Sequence, residues 1–147
     1  MARDHTKLRT FTAADDLVVD IYELTRTLPL EERYGLQSQI RRAAVSTPTN
    51  IVEGSVRRSD KHYLRYLENA LGSACEVGYL LSVCVRLRMI GNPDCDALIE
   101  RYTEVVKGLS ALIMRIDHDL VAQRAAATET AESRRAPGAL KAESAAS

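Results

Sequence analysis

Four cations, Arg57, Arg58, Lys61 and Arg65, crowd one short stretch of the chain, with Tyr63 and Tyr66 interleaved and Asp60 the one acid among them. Guanidinium and ammonium groups grip phosphate oxygens, and phenol rings stack on unpaired bases, so this composition is suited to nucleic acid. Arg41 adds to the cluster if it faces outward. The plainer reading is a solvated helix start, because acids nearly balance bases over the wider stretch from Glu31 to Glu68.

A second constellation lies just upstream. Gln39, Arg42, Ser46, Asn50 and Glu53 recur every three or four residues, the spacing that puts side chains on one helix face. The next segment supplies Glu68, Ser73 and Glu76. A helical hairpin turning near Arg57–Ser59 sets Arg42 opposite residue 74, within reach of Glu76, and Asn50 opposite residue 66. Arg42–Glu76 is therefore a candidate ion pair. Such a polar stripe either bonds helices or subunits together and specifies one arrangement, or lines a groove that binds a ligand.

Catalytic chemistry finds little support. A metal site in a helical bundle needs Glu-x-x-His pairs, and none of His5, His62 and His118 has a Glu three residues before it. In Asp117-His118-Asp119 adjacent helical side chains diverge, which suits a solvated face better than a ligand set. Cys75, Cys84 and Cys95 contain no CxxC pair, and they read as small buried hydrophobes in a reducing compartment. The glycines are scattered, so no phosphate loop forms. The expectation is a protein that is not an enzyme and has no metal and no cofactor.

The elements that position these residues follow from apolar spacing. Thr12 with Asp15 resembles a capping box, and Leu17, Val18, Ile21 and Leu24 continue at helical spacing, predicting a helix over about 13–27 that Pro29 ends. A second helix spans about 34–56 on Leu36, Ile40, Ala43, Ala44 and Ile51, with Pro48 inside it; Pro48 implies a kink, or alternatively two short helices. Ser59 can cap a third helix over 60–89, striped by Leu64, Leu67, Leu71, Ala74, Leu81 and Val85. Gly91 suits a helix stop and Asn92-Pro93 a helix start. A fourth helix then runs over 93–124, from Leu98 and Tyr102 to Ile116 and Leu120. Residues 1–11 form an N-terminal extension. Residues 125–147 are Ala, Glu, Ser, Thr and Arg with almost no large apolar side chain, which predicts a disordered tail, though its alanines can extend the fourth helix by a turn or two.

Short connections make neighbours antiparallel, so the predicted fold is an all-α, up-down-up-down four-helix bundle over residues 12–124. A chain of 147 residues holds one core without staples. It contains one Phe, six Tyr and no Trp, so aliphatic helix packing must supply that core. Zero formal net charge argues against a basic coat over the whole surface and leaves room for a local patch. There is no apolar run of membrane-spanning length, and the opening residues lack the apolar core of a secretory signal. The protein is expected to be cytoplasmic, with no membrane partner.

The run Tyr34-Gly35-Leu36-Gln37-Ser38-Gln39-Ile40-Arg41-Arg42-Ala43-Ala44-Val45-Ser46, then Pro48 and Asn50-Ile51-Val52-Glu53-Gly54, together with Leu71-Gly72-Ser73-Ala74-Cys75-Glu76, resembles the four-helix bundle proteins encoded in intervening sequences of 23S rRNA genes, also called S23 ribosomal proteins. The resemblance covers roughly residues 10–118. It implies a bundle that assembles into a ring, a homopentamer. The same fold serves the accessory protein of diversity-generating retroelements, which partners a reverse transcriptase and binds nucleic acid, so the resemblance implies RNA or DNA, or such a protein, as partner. One departure is Gly78, where many relatives carry a polar residue: either a neighbouring helix approaches closely there or the usual contact is altered. The resulting expectation is a non-enzymatic, homo-oligomeric nucleic-acid or nucleoprotein-binding accessory module. The alternatives are a protein-interaction scaffold and a cryptic small-molecule binder or enzyme.

Overall fold

In a computed structural model that describes residues 3–135, the chain forms four α-helices: α1, Arg9–Thr25; α2, Leu36–Ser55; α3, Asp60–Arg86; and α4, Asn92–Arg135. Each helix packs on its neighbours in sequence, α1 closes on α4, and the backbones of the diagonal pairs stay apart. That is the square, antiparallel bundle expected of short connections. The core takes Ala14, Leu17 and Ile21 from α1, Ile40, Ala44 and Ile51 from α2, Leu67, Ala74, Val77 and Leu81 from α3, and Leu98, Tyr102, Val105 and Leu109 from α4.

The ends of the helices differ from their sequence-based positions in ways the local chemistry explains. The helix α1 begins at Arg9 with Leu8 as its N-cap and no side-chain cap, so Thr12 and Asp15 lie inside it and form no capping box. Ahead of it, Asp4 caps a 3₁₀ turn over His5–Lys7 by accepting from the Thr6 N–H. Glu32 accepts from the Leu36 N–H at 3.0 Å and starts α2. Ser59 caps α3 as predicted, accepting from the His62 N–H at 3.2 Å.

Pro48 is buried inside a single continuous α2, so the two-helix alternative does not hold. Proline removes one backbone donor, and hydroxyl donors crowd the affected turn: Thr47 Oγ1 donates to the Ala43 carbonyl at 3.1 Å and Thr49 Oγ1 to the Val45 carbonyl at 2.8 Å.

The third helix stops at Arg86 and not at residue 89. Arg88 takes the left-handed conformation at φ 56°. Its N–H bonds the Val85 carbonyl, and the Met89 N–H bonds the Cys84 carbonyl, both at 2.9 Å, the paired bonds of a Schellman stop. Glycine usually fills this place, but Gly91 has no positive φ and instead accepts from the Cys95 N–H at the start of α4. At the far end, α4 continues to Arg135, so residues 125–135 are helical; the rest of the predicted tail, 136–147, lies outside the described residues. No described helix is long and apolar enough to cross a membrane.

Two helix pairs meet closely at glycine. A Cβ on Gly54 would lie 2.8 Å from Tyr66 Cβ and 3.0 Å from Tyr63 Cδ2, so α2 and α3 touch there through backbone and ring. A Cβ on Gly108 would collide with the Thr10 hydroxyl where α4 crosses α1. A Cβ on Gly72 or Gly78 would meet no described atom within 4 Å; α4 faces Gly78 only across a hollow that Ile99, Tyr102, Thr103 and Val106 also line, so a tight helix approach does not account for that glycine.

Candidate nucleic-acid interface

The α2–α3 turn gathers the cationic cluster at one corner of the bundle. Arg57 lies one residue beyond the C-cap of α2, and its guanidinium reaches α3: Nη2 donates to the Tyr66 hydroxyl at 2.6 Å and Cζ sits 4.7 Å from the ring centroid. Arg57, His62, Arg65, Tyr66 and Asn69 line a hollow of about 370 Å³. Arg58 and Lys61 are exposed beside it. None of the four predicted cations forms an ion pair among the described residues.

Tyr63 departs from the prediction. It is 3% exposed, because the close approach at Gly54 packs its ring under α2. Burial pushes its hydroxyl pKa up, and its ring is not available for stacking on a base. Tyr66 is half-buried and already engaged by Arg57. His62 is exposed and lines the hollow, so the accessible ring next to the cations is an imidazole that the tyrosine pattern did not single out.

Arg3 is the residue that sequence reasoning missed. Its backbone N–H bonds the Ser55 carbonyl at 3.0 Å, its Nη1 donates to the Arg57 carbonyl at 2.8 Å, and its guanidinium lies 4.4 Å from the Tyr63 ring centroid. It also forms an ion pair with Asp60. The only acid of the cluster is thereby neutralised by a cation brought from the start of the chain. His5 supports the arm, contacting Ser55 Oγ at 3.3 Å and the Phe11 ring edge-on. No periodicity could reveal this pairing, which joins residues 57 positions apart.

Arg41 does not belong to this corner. Its Nε donates to Thr25 Oγ1 at 2.8 Å and its Nη2 to the Tyr22 carbonyl at 3.2 Å, with Cζ 4.5 Å from the Tyr22 ring centroid. It therefore ties α2 to α1.

The polar stripe divides. Asn50 Nδ2 donates to the Ser46 carbonyl at 2.8 Å and to Ser46 Oγ at 3.0 Å. Ser46 and Ser73 hydroxyls meet at 2.8 Å, and Ser73 Oγ donates to the Asn69 carbonyl at 3.0 Å, which leaves Ser46 as donor to Ser73. This relay joins α2 to α3. Gln39, Arg42, Glu53 and Glu76 are exposed and take no part in it. The expected Arg42–Glu76 ion pair is absent. The Ser46–Ser73 register sets Arg42 level with residue 77 instead of 74, and Val77 points into the core.

Cys84 and Cys95 are buried, as expected, whereas Cys75 is exposed. Burial raises both buried thiols, Cys95 to about 11, which keeps them protonated and unreactive near neutrality. No group of three or more His, Cys, Asp or Glu among the described residues is placed to hold a metal ion.

Comparison with known proteins settles the family. The sequence profile described as 23S rRNA-intervening sequence protein matches residues 6–111. The chain belongs to the 23S rRNA-intervening sequence protein family. A solved structure of similar fold is a protein of unknown function from the S23 ribosomal protein family of Bacteroides thetaiotaomicron; it is 26% identical, with a TM-score of 0.66, over 71% of this chain and 97% of the other. No curated protein matches. The family match spans the cationic corner and most of the bundle and ends inside α4, before the part of that helix that overhangs the core.

Proposed function

We propose that this 23S rRNA-intervening sequence protein is a non-enzymatic, cytoplasmic accessory module that binds nucleic acid through its α2–α3 corner. The observation that carries the reading is the neutralisation of Asp60 by Arg3, which leaves Arg57, Arg58, Lys61 and Arg65 without acid partners around an open hollow. Phosphate contacts of this kind release counterions, so affinity should fall steeply with salt. The rings on offer, His62 and part of Tyr66, suit an unpaired base better than a duplex groove.

In this reading the module is homo-oligomeric, a pentamer by the family resemblance, and its partner is RNA, DNA or a nucleoprotein such as a reverse transcriptase complex. Of the exposed stripe residues, Gln39, Glu53 and Glu76 remain free to join subunits. The test is affinity for structured RNA and for single-stranded DNA across a salt series. Arg57→Ala with Arg58→Ala should weaken binding and reduce the salt slope by about 2. Binding that is absent, or indifferent to the double variant, refutes the reading. A protein-interaction scaffold is the second reading, favoured by that same exposed stripe; recovery of a stoichiometric protein partner free of nucleic acid would support it.

A further inference from the structure

A second cationic hollow lies in the groove between α1 and the N-terminal half of α2, about 24 Å along α2 from the corner at 1.5 Å per residue. It measures about 380 Å³, and its lining includes Tyr22, Arg33, Tyr34, Ser38, Arg41 and Arg42. Arg41 is the fixed point. Two neutral oxygens and the Tyr22 ring hold its guanidinium. The anchor is rigid, because Thr25 is fully buried and its hydroxyl donates to the Ile21 carbonyl at 2.7 Å, leaving its lone pairs for Arg41. Gln37 braces the same residue from α2, donating to the Thr25 carbonyl at 2.8 Å.

These partners hold Arg41 in place without neutralising it. Among the described residues neither Arg41 nor the exposed Arg33 and Arg42 forms an ion pair. Arg41 also keeps its Nη1 donors uncommitted. A half-buried arginine preorganised by neutral acceptors, with two more arginines at its rim, is matched by a compact, multiply charged anion with a bidentate edge. Tyr34, 89% exposed on the same rim, offers an open ring face on which a base can stack.

We propose that this hollow binds a nucleotide through a terminal phosphate, with the phosphate between Arg41, Arg33 and Arg42 and the base against Tyr34. Two sources present that chemistry: a free mononucleotide and the 5′ end of a nucleic-acid strand. The site is independent of the α2–α3 corner.

The probes are AMP, inorganic phosphate, and one oligonucleotide made with a 5′-phosphate and with a 5′-hydroxyl, titrated into the full chain and followed by NMR. AMP should shift the Arg41 Nε–H and Tyr34 ring resonances saturably. Arg42→Ala or Arg33→Ala, both exposed and dispensable to the fold, should weaken AMP about tenfold, the loss of one charge-assisted bond. Tyr34→Ala should weaken AMP and leave inorganic phosphate unchanged. Preference for the 5′-phosphate strand over AMP assigns strand ends; equal or weaker binding of the strand assigns the free nucleotide. The proposal is overturned if neither AMP nor the 5′-phosphate strand shifts these resonances. It is also overturned if inorganic phosphate binds as tightly as AMP, or if Arg57→Ala with Arg58→Ala abolishes the AMP shifts.

Discussion

At the scale of single residues, two helical glycines of the same type have opposite roles. Gly54 has two tyrosines against it, one by its Cβ and one by its ring, while Gly72 faces open space. Alanine gains up to about 1 kcal/mol of helix propensity at either position. At Gly54 that gain is outweighed by overpacking, which costs about 1–3 kcal/mol. Gly54→Ala should therefore lower the urea midpoint and Gly72→Ala should raise it, measured on the same chain. Sequence alone shows two glycines in two helical runs, and only the distance to the facing helix separates them.

Titration also belongs to this scale. Cys95 is fully buried, and its thiol is raised from 9.0 to about 11 by desolvation first. A raised folded-state pKa means that the unfolded chain releases its proton first. The contribution is intact below pH 9.0 and is lost as pH rises toward about 11. Cys84 and Tyr63 shift in the same direction. Denaturation at pH 7.5 and 10.5 should show a loss of stability at the higher pH, and Cys95→Ala should remove a part of that loss on the order of 2 kcal/mol.

At the scale of elements, the apolar stripes predicted four helices and their order, because burial dictates a 3.6-residue period that survives in sequence. The ends were less legible. Caps depend on one or two hydrogen bonds, and residues other than the favoured ones supplied them: Glu32 for α2, and Arg88 for the end of α3. A non-glycine residue in the left-handed region costs about 1–2 kcal/mol. Arg88→Gly should therefore stabilise the fold by about 0.5–1 kcal/mol after the added freedom of the unfolded chain is subtracted, and so raise the thermal midpoint. A lower midpoint would mean that the Arg88 side chain contributes more than its backbone costs.

The stripe of polar residues on α2 was legible as a face but not as a set of partners. Its register moved with the length of the turn, and Arg42 and Glu76 both stand exposed to solvent while Ser46 and Ser73 make the contact between the helices. The cationic corner was legible in composition. Its arming by Arg3 was not, because the pairing is long-range and the arm carries no periodic signal.

On the scale of the whole molecule, α4 is 44 residues long against 17, 20 and 27 for the others. Residues 121–134 are exposed on every side. Helical hydrogen bonds in water without tertiary packing are marginal, so amides past Leu120 should exchange with deuterium orders of magnitude faster than those of Leu98–Leu109. Protection equal to that of the core would show that a further chain covers the overhang.

The docking of Arg3 has a practical side. Arg3 itself docks against Arg57 and Asp60, at the edge of the surface proposed to take a strand. A fusion tag placed at the front of the chain would screen the corner by its bulk alone and mimic a protein with no affinity. The tag therefore belongs on the opposite terminus, and a cleaved, untagged sample is the fair control.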